Sequence, residues 1–187
     1  MSVFALSGFI NGIFTLILGG FVFLKNPRSR INQSFGFVCL GLALWQIPYG
    51  FWQMAKTEIE AMFFLRLLMI GGAVAAYGFC WLNLEMVNLA REKKKNLIIF
   101  ATITLICIFS YFSPYFIRGT ISVGDFPYWP LAGPAVYFII PWYLFVTGYG
   151  FYYLIKSFGQ ARVEQKQQIK YSLLALIALL LAGFNSM

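Results

Sequence analysis

The chain has 187 residues, of which 60% are hydrophobic and only 11% are charged. Ordinary soluble domains carry about 25% charged residues, so this composition excludes a typical water-soluble globular protein. Histidine is absent, which excludes imidazole ligation of haem, the usual zinc and copper sites and histidine-based acid–base catalysis.

Six long apolar stretches fill most of the chain, at residues 3–24, 34–54, 62–90, 97–117, 134–155 and 169–184. About 20 helical residues cross a hydrocarbon core of ~30 Å, and backbone polar groups in lipid must be paired internally. Barrel strands would instead show short alternating segments. We therefore predict an all-α polytopic membrane bundle of six transmembrane helices, forming a single domain over residues 1–187.

The first stretch has no features of a cleavable signal peptide, because no basic residue precedes Lys25 and the apolar run is too long. Gly8 and Gly12 form a G-x-x-x-G motif, which permits close contact with another helix. Asn26-Pro27 then predicts a tight turn before the second stretch.

The basic residues favour every second gap between the stretches. In gap two the positive charge of Lys56 is offset by Glu58 and Glu60, and in gap four that of Arg118 is offset by Asp125. Positive residues are retained on the cytoplasmic side, so gaps one, three and five are predicted inside and the N-terminus outside. We expect the basic loops to touch anionic lipid headgroups and do not expect nucleic-acid binding. Eleven of the 14 basic residues lie in or beside the inner gaps: Lys25, Arg28, Arg30, Arg91, Lys93, Lys94, Lys95, Lys156, Arg162, Lys166 and Lys170.

Gap four, residues 118–133, is the longest, and its two prolines and several glycines exclude a continuous helix. Tyr128 and Trp129 suit a membrane–water interface. The gap is either a loop that folds over the mouth of the bundle or a plain connector. Pro48 and Pro141 lie inside the second and fifth stretches, where each is expected to kink its helix in the outer half.

The sequence offers little for catalysis. Cys39, Cys80 and Cys107 lie within predicted helices without a C-x-x-C pair, and we interpret them as packing residues. There is no phosphate loop, no G-x-S-x-G and no paired carboxylate. We therefore predict no catalytic residues, no metal site and no cofactor.

Apart from Lys170 at the edge of the sixth stretch, two charged residues lie within predicted helices. Glu85 is the lone carboxylate deep in a stretch, and Asn88 follows it by three residues. Glu85 is expected either to pair with an inner basic residue or to act as a coupling group. Arg66 lies about one turn into the third stretch and either reaches the outer headgroups or anchors an anionic ligand.

Aromatic residues collect in the predicted outer half. Trp45, Tyr49 and Trp52 follow i, i+4, i+7 spacing and share one helix face. Such a stripe is either an interfacial belt or the wall of a small-molecule pocket. The pocket hypothesis assigns ligand binding to Arg66, Trp45, Tyr49, Trp52, Tyr137, Trp142, Tyr143 and Asn11, with Glu85, Asn88, Pro48 and Pro141 in coupling or structural roles.

Short motifs run through the chain in order. Asn26-Pro27 is followed by Asn32-x-x-Phe35 and then by Trp45, ten residues on. With these motifs, the chain resembles the N-terminal seven-helix sensor region of bacterial membrane histidine kinases. The later matching residues are Phe79 and Leu84, Gly133-Pro134 with Tyr137, the stretch from Arg162 to Gln168, Tyr171, Gly183 and Asn185.

The resemblance implies a sensory module of a two-component system, passing several times through the bacterial plasma membrane. It implies a small-molecule or lipid ligand from outside or from the outer leaflet, and a homodimer is a further expectation. The family continues into a seventh helix and a cytoplasmic signalling domain, whereas this sequence ends at Met187. We expect an incomplete member with no kinase activity of its own.

Two other classes fit less well. A small transporter or transporter subunit predicts ion-coupling carboxylates near the midplane and an internal repeat, and neither is evident. An intramembrane enzyme acting on lipid ranks last, because histidine and paired acids are missing.

The predicted orientation can be tested by cysteine labelling in intact cells, on a background without the native cysteines. A membrane-impermeant reagent should label Ser122→Cys in gap four and leave Asn96→Cys in gap three unlabelled. Labelling of Asn96→Cys from outside would reverse the whole topology.

Overall fold

The computed structural model describes residues 2–124, 126–161 and 163–184, with side chains beyond Leu174 and that of Glu164 left aside. Asp125, Arg162 and Asn185, which entered the sequence analysis, lie outside the described residues. The described part contains six α-helices and one two-stranded sheet. In chain order these are α1 Val3–Lys25, α2 Arg30–Trp52, α3 Glu58–Met86, α4 Lys94–Ser110, β1 Ile117–Val123, β2 Phe126–Ala132, α5 Val136–Ser157 and α6 Val163–Phe184, with a 3-10 turn at Phe158–Gln160.

The predicted helical membrane fold is confirmed, but the prediction of six transmembrane helices is met by four of the six described helices. Four helical segments of the described chain are long and apolar enough to cross a membrane: α1, α2, α3 and the continuous Val136–Gln160. α4 has 17 residues, which at about 1.5 Å per residue falls slightly short of a ~30 Å core.

The predicted end of the fourth helix is wrong. The apolar stretch continues to Ile117, but α4 ends at Ser110 and Ile117 opens β1. Pro114 supplies no backbone N–H and disfavours helical geometry at Ser113, and the Ser113 hydroxyl instead accepts a hydrogen bond from the Tyr115 backbone at 3.0 Å.

The central helix α3 is closed at both ends. Thr57 caps its start by accepting from the Glu60 backbone N–H at 3.3 Å, and the Glu60 carboxylate accepts from the Lys56 backbone at 2.9 Å. At the other end Asn88 has a positive φ of 60°. The Leu89 N–H bonds the Leu84 carbonyl and the Asn88 N–H bonds the Glu85 carbonyl, which is a Schellman ending.

Helices α2 and α3 approach backbone to backbone. A Cβ placed on Gly71 would lie 2.3 Å from the Trp45 backbone nitrogen, and one on Gly41 would lie 2.5 Å from that of Ala75. Only glycine fits at such distances, so these two residues set the spacing of the pair. α3 also contacts α4, α5, α6 and both strands, and is the helix around which the others pack.

The close contact expected at Gly8 and Gly12 is present. A Cβ on Gly8 would lie 2.8 Å from the Gln46 carbonyl oxygen, and one on Gly12 would lie 2.5 Å from the Ile47 side chain. The motif therefore allows α1 to pack closely against α2.

Gap four is a β-hairpin rather than an irregular loop. Its strands are antiparallel, with Ile117 opposite Ala132 and Val123 opposite Phe126, and Gly124 takes a positive φ of 54° at the turn. We call the end of the bundle that carries this hairpin the hairpin end, and the opposite end, with gaps one, three and five, the basic end.

The glycine contact between α2 and α3 predicts a difference between neighbouring positions. Gly71→Ala should destabilise the protein by about 1–3 kcal/mol, because its Cβ meets backbone that cannot yield. Gly72→Ala is the matched control, since a Cβ there meets nothing within 4 Å. Thermal unfolding in detergent checks this, and equal melting temperatures for the two variants would contradict it.

Candidate functional site

The hairpin is held to the bundle by specific hydrogen bonds. The Glu58 carboxylate accepts from the Thr120 backbone at 3.1 Å and from its hydroxyl at 3.0 Å. The Trp52 indole N–H donates to the Tyr128 carbonyl at 2.9 Å, and the Tyr128 hydroxyl donates to the Lys56 carbonyl at 2.8 Å. The hairpin is thereby joined to the end of α2 and the start of α3.

A small cavity of about 220 Å³ lies under the hairpin. The Trp52 and Phe126 rings are stacked at 6.2 Å between centroids and form part of its wall. The Gln53 side-chain nitrogen is buried and has no hydrogen-bond partner among the described residues. We call this cavity the hairpin-end site, and it is lined by Ser2, Phe4, Trp52, Gln53, Phe126, Pro127 and Tyr128.

Four of the candidate ligand residues lie together. Trp52 belongs to the apolar cluster at the hairpin end, and Tyr49, Trp142 and Tyr143 pack against that cluster. The Trp142 indole donates to the Thr104 hydroxyl at 3.4 Å, and the Tyr143 hydroxyl pairs with that of Tyr111. The polar atoms of Trp142 and Tyr143 are therefore engaged within the protein.

The other candidates are not brought to this cluster. Tyr137 is 85% exposed, Trp45 is 40% exposed, and Asn11 is exposed on α1. Pro48 is buried within α2, whereas Pro141 lies on an exposed position of α5. Of the eight proposed ligand residues, only Trp52 lines the hairpin-end site.

Arg66 is half-buried on α3. Its Nε atom is buried and has no hydrogen-bond partner among the described residues. Met62, Met69 and Ile70 occupy the same helix face at i−4, i+3 and i+4, and all three pack against the hairpin-end cluster. Arg66 therefore places a cation beside apolar surroundings, one turn deeper than Met62.

The second polar constellation lies at the basic end. Glu85 is only 8% exposed, and its carboxylate accepts from the Trp81 indole at 3.0 Å and lies 3.9 Å from the Arg30 guanidinium. Arg30 is one of the inner basic residues considered as its partner from sequence. Asn88, three residues after Glu85, is the positive-φ residue that follows the end of α3.

Helix α6 is tied to the same end of α3. The Gln165 side chain donates to the Met86 carbonyl at 2.7 Å, and the Ser172 hydroxyl contacts the Met86 sulfur at 3.6 Å. Asn83, which is 1% exposed, has a side-chain nitrogen without a partner among the described residues. The end of α3 is thus a junction of α2, α3 and α6.

The sequence analysis did not predict that Phe126 lines the site or that Glu58 binds the hairpin. A signal for the hairpin was available, because Ile117, Thr120, Ile121 and Val123 are β-branched and Gly124 follows them. The prolines of β2 concealed this signal. In a two-stranded hairpin they are tolerated because every strand is an edge.

Among the described residues, no group of three or more His, Cys, Asp and Glu side chains could hold a metal ion. The fold thus defines a polytopic helical membrane protein with a hairpin over one end and polar clusters at both.

The family of the chain follows from its sequence. The family described as the N-terminal 7TM region of histidine kinase matches residues 8–187, so the chain belongs to this family and is a membrane sensory module of a kinase. The resemblance found from the ordered motifs is confirmed. Comparison with curated proteins and with solved structures found no match.

The ion pair at the basic end predicts a modest stability effect. Glu85→Gln keeps the shape and the bond from Trp81 but removes the attraction to Arg30, whose side chain is 57% exposed. We expect a loss of about 1 kcal/mol and a melting temperature lower by roughly 2–4 °C.

Glu92→Gln is the matched control, because it removes a carboxylate at the same end whose ion pair among the described residues is with the neighbouring Lys93. Its melting curve should not change. A melting temperature of Glu85→Gln equal to that of the unmodified protein would mean that the pair with Arg30 does not stabilise the bundle.

Proposed function

We propose that this chain is the receptor part of a two-component histidine kinase of the bacterial plasma membrane, and that it detects a ligand at the hairpin end. Membership of the kinase family supports the sensory role. The observation that carries the location is that Gln53, whose buried side-chain nitrogen has no partner among the described residues, lines a cavity together with Phe126, Pro127 and Tyr128 of the hairpin. A buried polar group without a partner costs free energy, and a ligand atom that bonds it recovers that cost.

The cavity favours a small amphipathic ligand. Its volume of about 220 Å³ is below that of drug-sized sites, so only a compact molecule or one end of a larger one fits. Trp52, Phe126 and Tyr128 offer aromatic walls. Gln53, through its side-chain nitrogen, offers a hydrogen bond to an acceptor atom of the ligand.

Arg66, which does not line this cavity, is proposed as a separate contact for a negatively charged group near the hairpin end. Its partnerless Nε in an apolar setting favours an anion, since an unpaired charge in a low-dielectric environment is costly. Under the orientation set by the basic loops, the hairpin end faces outside. A ligand then arrives from the exterior or from the outer leaflet.

The proposed route of the signal is α3. This helix has 29 residues, about 42 Å, and runs from the Glu58 bond with the hairpin to the Met86 bonds with α6. A ligand that prefers one packing of the hairpin shifts the equilibrium by its difference in affinity for the two packings. The shift passes to α6 and onward to the kinase. A homodimer of such modules fits this scheme.

The experiment compares two tryptophans of α2 in the full-length kinase, reconstituted in lipid nanodiscs. Trp52→Phe keeps an aromatic ring but removes the bond to the hairpin, worth about 0.5–1.5 kcal/mol. We expect the autophosphorylation rate to change two- to tenfold. Trp45→Phe, the same change at a half-exposed position of the same helix, should leave the rate unaltered.

A second pair of variants tests whether the positive charge of Arg66 binds the ligand. Arg66→Gln should abolish or alter stimulation by an anionic ligand, whereas Arg118→Gln, at an exposed hairpin position, should not. If neither Trp52→Phe nor replacement of residues 118–131 by a short linker alters kinase output, the hairpin end does not control the kinase and the proposal is wrong.

A further inference from the structure

A basic groove opens on the surface at the basic end, away from the hairpin. Two cavities of about 420 and 410 Å³ share Arg30, Glu85, Ala90 and Arg91 in their walls and lie side by side. Lys94 adds a third cation to the second cavity. Glu85 is the one carboxylate among the described residues of the two linings, and it is already engaged by Trp81 and Arg30, so these residues carry a net positive charge.

The lining of the second cavity changes from charged to apolar along the helix axis. The cations Arg91 and Lys94 lie at one end of the lining, and the aromatic residue Tyr77 lies at the other. Glu85 and Trp81 lie between these ends. Tyr77 lies eight positions before Glu85, which corresponds to about 12 Å along α3. This order, cations at the mouth and apolar groups deeper, matches a molecule with an anionic head and a hydrocarbon body.

A separate apolar groove of about 380 Å³ adjoins this cavity, and Trp81 lines both. Gly19, Gly20 and Gly36 form part of its lining. A Cβ on Gly20 would meet nothing within 4 Å. The α1–α2 surface therefore holds an open channel beside the basic cavity.

We infer that the basic end binds one anionic phospholipid of the adjoining leaflet, with its phosphate against Arg91, Lys94 and Arg30 and an acyl chain in the apolar groove beyond Trp81. Charge complementarity selects the headgroup, since basic pockets between helices at the cytoplasmic side favour anionic lipids. Glu85 acts as a positioning residue that holds Arg30 at the mouth. This site uses none of the residues that line the hairpin-end site and stands independently of the ligand proposed there.

A free phosphate would use only the cations, whereas a phospholipid also needs the groove. Two substitutions separate these cases. Lys94→Gln removes one cation from the cavity, and Lys95→Gln removes the same charge from the adjacent exposed residue outside the lining. Gly20→Leu places a side chain in the groove, and its Cβ meets nothing within 4 Å. Gly148→Leu is the control, because a Cβ there is equally free and Gly148 lies on α5 outside the groove.

The experiment titrates the purified protein in detergent with phosphatidylglycerol or phosphatidylcholine and counts bound lipid by native mass spectrometry. Saturable binding of one phosphatidylglycerol is expected, with phosphatidylcholine binding much more weakly. Lys94→Gln should weaken phosphatidylglycerol binding about fivefold, the contribution of one basic residue near an anionic surface. Gly20→Leu should weaken it by a similar factor, while both controls bind as the unmodified protein does.

Three results would overturn the inference. Equal binding of the two lipids would show that the groove does not select charge. Binding unaffected by Gly20→Leu but fully displaced by millimolar inorganic phosphate would identify a soluble-anion site instead. An equal loss in Lys94→Gln and Lys95→Gln would mean that diffuse surface charge, and not this cavity, attracts the lipid. Circular dichroism of each variant establishes that the helices are retained.

Discussion

The backbone contact between α2 and α3 is the constraint on which the rest of the molecule depends. Lipid provides little hydrophobic drive for helices to associate, so close packing has to hold them, and Gly41 and Gly71 make that packing available. Antiparallel pairing at this distance brings Trp52 beside the start of α3 and Arg30 beside Glu85. Both polar sites are therefore products of one helix pair.

Most of the fold was predictable because membrane helices obey strong rules. Hydropathy located all six helices, and the order of short motifs identified the family. The hairpin was not predicted, because strands of seven residues carry a weak sequence signal and the prolines of β2 weaken it further. The predicted fourth helix extended to Ile117 because hydropathy alone cannot distinguish a buried strand from the end of a helix.

The candidate site was predictable only in part, for a different reason. The spacing of Trp45, Tyr49 and Trp52 establishes a shared helix face, but it cannot say how that face is rotated against its neighbours. In the structure the stripe runs from half-exposed Trp45 to buried Trp52, so only one end of it reaches the interior. The ion pair of Glu85 was easier to predict, because a carboxylate in an apolar stretch near a basic gap has few possible partners.

The closed ends of α3 limit how this helix can respond to a force. Thr57 and Glu60 bind the first turn, and the Schellman turn at Asn88 binds the last. A helix with frayed ends can absorb a push by winding or unwinding a turn. With both ends bonded, we expect a displacement at Glu58 to move α3 as a whole, by sliding or rotation, and to carry the loop after Asn88 with it.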